Sequence, residues 1–237
     1  MFSIGWYYLL EDSSVVGQDS WKAVDAYITE RLVPHDAVLD TVLQASAAAG
    51  LPAINVAPNQ GKLLMLLARL QGARQILEIG TLGGYSTIWL ARALPPGGRL
   101  VTLEADAKHA DVARSNFVRA GLADVIDLRL GPALETLPRL ATEDRGPFDL
   151  SFIDADKPNT AAYFKWALKM SRPGSVIIAD NVVRKGALAN ADSGDADVEG
   201  MRRLHDCMAA EARVSATSIQ TVGSKGYDGF SLALVLS

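Results

Sequence analysis

An α/β fold, with a mostly parallel sheet covered by helices on both faces and an antiparallel hairpin at one edge, is the architecture this sequence predicts. Three observations carry it. From Gln75 onward, short apolar runs alternate with segments of helical periodicity, the pattern of parallel strands joined by crossover helices. The first run, Gln75-Ile76-Leu77-Glu78-Ile79, breaks into a glycine turn, Gly80-x-x-Gly83-Gly84, and leads into the apolar-periodic stretch 86–94. That is the strand–turn–helix unit of nucleotide-binding folds, although the spacing is not G-x-G-x-x-G. The last two runs, 213–222 and 229–236, are separated only by a short glycine-bearing loop, which reads as a hairpin.

The 237 residues fit a single domain of this class. A hydrophobic share of 49% with 21% charged residues excludes a disordered chain. The net charge of −4 supplies no basic footprint for nucleic acid or an anionic membrane, and no apolar run reaches the roughly 18 residues of a membrane helix. Cys207 is the single cysteine, so no intrachain disulfide can form; a buried structural thiol and a reducing, cytoplasmic setting are expected.

In chain order, residues 1–18 are read as a disordered or arm-like extension ahead of a single domain over 19–237. Met1 to Leu10 is apolar but lacks a basic n-region and a small-residue cleavage site, so no signal peptide is expected. Asp19 and Ser20 offer caps for a helix to Leu32, ended by Pro34. His35-Asp36 open a second helix stopped by Gly50 and Pro52, with His35 a capping or surface residue. Residues 54–57 form a loop, and Pro58-Asn59 start a helix over 60–70. These helices flank the sheet or form a lid. Strands follow at 75–79, 99–104, 125–130, 148–153 and 175–179, with helices at 86–94, 107–120, 133–140 and 159–170, punctuated by glycine and proline pairs. A helix over 198–212 precedes the hairpin.

Ligands of open parallel sheets bind beyond the carboxyl ends of the strands. Those ends carry Glu78 and Gly80, Glu104, Gly131, Asp154 and Asp180-Asn181. Each acid alone could be a helix cap; their concentration on one rim points to a ligand site. Glu104 lies about two dozen residues after Gly80, near the offset at which an acid meets ribose hydroxyls, which implies a nucleoside-containing cofactor. Asp154 and Asp180-Asn181 end consecutive strands, so their oxygens can converge into a hard donor set for Mg2+, Ca2+ or Mn2+. Lys157, three residues beyond Asp154, falls beside that set, where a neighbouring cation would depress its pKa as a general base requires.

Assembled, these residues resemble the cation-dependent O-methyltransferase family that includes the caffeoyl-CoA and catechol O-methyltransferases. Glu78-Ile79-Gly80-Thr81-Leu82-Gly83-Gly84-Tyr85-Ser86 resembles the family's cofactor loop, Phe148 through Lys157 its FDLxFIDADK segment, Ala179-Asp180-Asn181-Val182 its DN motif, and Gly226-Tyr227-Asp228-Gly229 its late DG turn. The resemblance implies a Rossmann-like, seven-stranded class I fold with S-adenosylmethionine across the first strand ends. It implies that Val56 contacts the methionine part and Glu78 its amino group. Gly80, Thr81 and Ser86 line the loop, Glu104 holds the ribose hydroxyls, Ala133 lies near the adenine, and Asp154 and Asp156 touch the cofactor. Asp154, Asp180 and Asn181 ligate the metal, Mg2+ foremost, and Lys157 is the base. The acceptor implied is a small phenol with vicinal hydroxyls, and the assembly a homodimer. Thr160 and Arg184-Lys185 depart from the family pattern and point away from a caffeoyl-CoA substrate; Arg184 and Lys185 are either contacts to an anionic substrate or solvated loop charges. An NAD-dependent oxidoreductase on a similar sheet, or a cofactor-binding protein without catalysis, stands as the alternative.

Overall fold

The computed structural model describes residues 17–143 and 145–237; most of the expected extension, 1–16, lies outside the described residues. Helix α1 (Gln18–Leu32) starts one residue ahead of the caps read from sequence: Gly17 is its N-cap and Asp19 sits inside its first turn, where a carboxylate still complements the helix dipole. In α2 (Ala37–Ala48) the cap is Asp36, whose carboxylate accepts from the N–H groups of Val38 and Leu39, a contact worth about 1 kcal/mol. His35 is exposed, with Nδ1 3.0 Å from Asp40. Pro58 occupies the first turn of α3 (Pro58–Leu70), where its missing N–H leaves no bond unmade.

The sheet alternates as expected: β1 (Gln75–Ile79), α4 (Tyr85–Ala91), β2 (Arg99–Glu104), α5 (Ala107–Arg119), β3 (Ile126–Leu130), α6 (Ala133–Thr142), β4 (Phe148–Ile153), α7 (Thr160–Lys169), β5 (Ser171–Asp180), α8 (Ala196–Ala210), then β6 (Val214–Gly223) and β7 (Gly226–Val235). The seven strands lie in the order β3-β2-β1-β4-β5-β7-β6. Strands β1 to β5 are parallel, while β7 runs against both β5 and β6.

Several boundaries shift from the sequence reading, among them α4, which ends at Ala91, and α8, which spans Ala196–Ala210; two of the shifts have a cause in the strand pairing. β5 begins at Ser171, ahead of Pro173-Gly174, because Ser171 pairs with Phe148 before a register shift at which Leu150 takes Val176. The hairpin loop is shorter than 223–228: Gly223 still pairs with Gly226, so Tyr227 and Asp228 belong to a strand whose ladder outweighs their turn propensity.

Alternation along β1 sends Leu77 and Ile79 into a layer with α6, α7 and α8, and Ile76 into one with α2, α3, α4 and α5. Each of these side chains is fully buried, worth about 2 kcal/mol apiece relative to exposure. Cys207 is half-buried, not buried, against the first layer; burial pushes its thiol pKa up, as suits an inert thiol. No described helix is long and apolar enough to cross a membrane.

Candidate active site

A cavity of about 520 Å³ opens at the carboxyl ends of the parallel strands, within the range that holds small-molecule cofactors. Val56, Gly80, Thr81, Ser86, Glu104, Ala133, Asp154, Asp156, Lys157 and Asn181 all line it. Of the residues singled out from sequence, Glu78 and Asp180 do not.

Glu78 is one residue short of the strand end, and the period of two turns its carboxylate inward toward α4. There it is fully buried and accepts hydrogen bonds from Ser86 Oγ at 2.7 Å, Thr102 Oγ1 at 2.7 Å and Thr87 Oγ1 at 2.5 Å. Burial raises its pKa to about 7 against those three donors. The structure thus places Glu78 directly behind Ser86, which lines the cavity.

The loop above it is held by the protein itself. A Cβ at Gly80, whose φ is +99°, would lie 2.0 Å from the carbonyl oxygen of Asp154, and one at Gly84, at φ +84°, 2.4 Å from Phe117. Both glycines therefore answer to neighbouring protein atoms before any ligand. Leu82 sits in the left-handed region at φ +51°, a conformation that costs on the order of 1 kcal/mol. Glu104 holds it there: Oε2 accepts from the N–H groups of Thr81 at 3.2 Å and Leu82 at 2.7 Å, and Oε1 from Asp106 N–H at 3.0 Å. His109, with Nδ1 3.7 Å from Glu104 Oε1, also lines the cavity.

Across the rim the balance changes. Lys157 is buried in the 3-10 turn Lys157–Asn159 and donates from Nζ to Asp154 Oδ1 at 2.8 Å. Helix α8 fixes that turn from outside: Gly200 packs so closely that a Cβ there would stand 2.2 Å from the Lys157 carbonyl. Asp180 is buried, accepts from Gln60 Nε2 at 2.7 Å and from Asn181 N–H at 2.8 Å, and faces Asp154. Burial first, and the Asp154 charge second, push its pKa up to about 7. Asn181 adopts φ +57°, and among the described residues its side-chain amide makes no hydrogen bond. Asp156 accepts from Tyr163 and from Asn159 Nδ2.

Two facing carboxylates, one lysine and an unengaged amide form a site short of positive charge, and hard oxygens are what Mg2+ or Ca2+ takes. Among the described residues no three His, Cys, Asp or Glu side chains cluster as metal ligands, so the donor set rests on two acids and Asn181. The residues fit a divalent cation. Gln60, His109, Tyr163 and Gly200 were missed from sequence; Gln60 and Gly200 act through the distant Asp180 and Lys157, while His109 and Tyr163 reach Glu104 and Asp156 only a few residues away but in no motif that marks them.

Comparison with known proteins agrees with this geometry. The sequence profile described as O-methyltransferase matches residues 29–234. A catechol O-methyltransferase of Mycobacterium tuberculosis is 55% identical over 90% of this chain and 94% of that protein. One of Niastella koreensis is 52% identical over 91% and 97%. An O-methyltransferase from Bacillus cereus, solved in complex with SAH, superposes with a TM-score of 0.91 at 60% identity, covering 92% of this chain and all of that one. The NAD-dependent alternative falls with this match, and the chain belongs to the O-methyltransferase family.

Proposed function

We propose that this O-methyltransferase transfers the methyl group of S-adenosylmethionine to one hydroxyl of a small catechol-like acceptor, assisted by a divalent cation, Mg2+ foremost. The observation that carries the reading is the placement of Asp154, Lys157, Asp180 and Asn181 where two cavities meet: Asn181 lines both the 520 Å³ cavity and a second of about 290 Å³, which Asp180 also lines.

Val56, Gly80, Thr81, Ser86, Glu104, Ala133 and Asp156 would hold the cofactor, with Glu78 acting at one remove by fixing Ser86. When bound, S-adenosylmethionine supplies an electrophilic methyl group. Asp154, Asp180 and Asn181 would hold the cation, which when bound would ease loss of a phenolic proton. Lys157 then accepts the proton at Nζ. Its burial and the brace from Gly200 keep that nitrogen at the rim, and the protein's contribution beyond proton transfer is positioning.

The name of the relatives in M. tuberculosis and N. koreensis supports a catechol acceptor. A homodimer in the cytoplasm is part of the proposal; the exposed apolar side chains Val24, Tyr27 and Leu32 on α1 and Leu70 on α3 are candidates for contact with a second copy.

The decisive experiment is a methylation assay over a catechol panel with Mg2+ and with EDTA. EDTA is expected to abolish turnover and added Mg2+ to restore it. Full activity in EDTA would sink the metal role, and cofactor binding without methylation of any catechol would favour a non-catalytic binder.

A further inference from the structure

The 290 Å³ cavity carries a charge pattern that the transfer reaction does not explain. Asp180 and Asn181 form part of its wall, and Leu63 and Phe230 give it apolar surface. Two lysines also line it: Lys225 from the two-residue turn between β6 and β7, and Lys185 from the loop after β5.

Its remaining acids are already engaged. Asp25 accepts from Asn59 Nδ2 at 2.9 Å through Oδ1 and from Ser224 N–H at 2.6 Å through Oδ2. Asp228 Oδ1 accepts from the N–H groups of Val183, Arg184 and Gly229 at 2.9 to 3.0 Å. Arg184, the other cation of its loop, pairs with Asp197 at 2.7 Å. By contrast, no carboxylate among the described residues pairs with Lys185 or Lys225, and Lys225 Nζ donates only to the carbonyl of Ala53, at 3.1 Å. Lys185 is also held at φ +56°, a left-handed conformation that costs a lysine on the order of 1 kcal/mol.

Resting on the catechol reading, we infer that the acceptor carries an anionic substituent, a carboxylate in the simplest case, which Lys225 and Lys185 recognise while the ring lies against Leu63 and Phe230. The hydroxyls then face Asp180 and Asn181. This resolves the choice left at Arg184-Lys185: the arginine is a structural partner of α8, and the lysine is the substrate contact. A charge-assisted contact of this kind is worth about tenfold in specificity per lysine.

The test compares kcat/KM for 3,4-dihydroxybenzoate, 4-methylcatechol and 4-(2-aminoethyl)catechol, on the full chain with Mg2+. The wild type is expected to favour the carboxylate over the neutral acceptor by about a hundredfold at low salt, with the ratio shrinking as salt screens the charges. Lys225→Glu and Lys185→Glu should each shift the preference toward the amine. Because the readout is a ratio within one variant, partial loss of folded protein cannot mimic it. Equal efficiency on carboxylate and neutral catechol, or an unchanged ratio in both variants, overturns the inference and leaves the catechol reading intact. Methylation of none of the three overturns both.

Discussion

Strand β4 carries an aspartate at each end, and the two have opposite surroundings. Asp149, at the start, is saturated: Oδ2 accepts from the N–H groups of Arg74 and Gln75 at 2.7 and 2.9 Å, and Oδ1 from the Arg172 guanidinium at 2.6 and 3.1 Å. Burial alone would raise its pKa; those donors overcome that and hold it below the usual carboxylate value. Asp154, one residue past the end, shares a single buried lysine with a second carboxylate that is itself pushed up to about 7. One end of the sheet is closed by matched charge. The other is left with more negative charge than the protein neutralises, which is the condition a cation or a reaction can exploit.

The largest test of that contrast is Asp154→Asn. Turnover should fall by about a thousandfold or more while the melting temperature holds or rises, because the repulsion with Asp180 is relieved. Turnover within tenfold of the wild type, measured beside a thermal melt, would break the comparison. Next is Asp149→Ala, expected to cost about 3 kcal/mol of stability in urea titration while leaving kcat per folded molecule unchanged. The pH dependence follows from the lowered pKa. The wild type owns Asp149's contribution above the unfolded value of 3.8 and loses it as pH falls through the folded value, so the variant should lack this acid-side step. The smallest effect is expected from Gly200→Ala. The new Cβ would force the Lys157 turn to shift, costing about 1 to 3 kcal/mol and lowering kcat more than cofactor affinity. An unchanged kcat would show that the proposed base tolerates displacement.

Much of this contrast was legible in the sequence at the end where the chemistry sits. An apolar run that stops at an acid or at Asp-Asn marks a strand end, and parallel strands bring their ends to one rim, so Asp154, Lys157, Asp180 and Asn181 could be grouped without coordinates. Glu78 shows what that reasoning leaves out: it sits one position before the end, and its burial under α4 with three hydroxyl donors is not visible in residue order. The role of Asp149 is not legible in the sequence, because its donors come from the start of β1 and from Arg172, and backbone N–H groups leave no trace in residue identity. Gln60 and Gly200 are invisible for the same reason, since an ordinary glutamine and a helical glycine acquire meaning only from what packs against them.

The position of β7 bears on how the protein comes into being. The seventh strand in chain order is not an edge strand: β7 lies between β5 and β6, and Asp180 pairs in register with Phe230. A chain emerging from the ribosome as far as α8 can assemble β1 to β5, but β5 is then a bare edge open to foreign strands. Asp180 gains this neighbour only when residues 226–235 arrive. The fold around Asp180 is thus incomplete until β7 has been made.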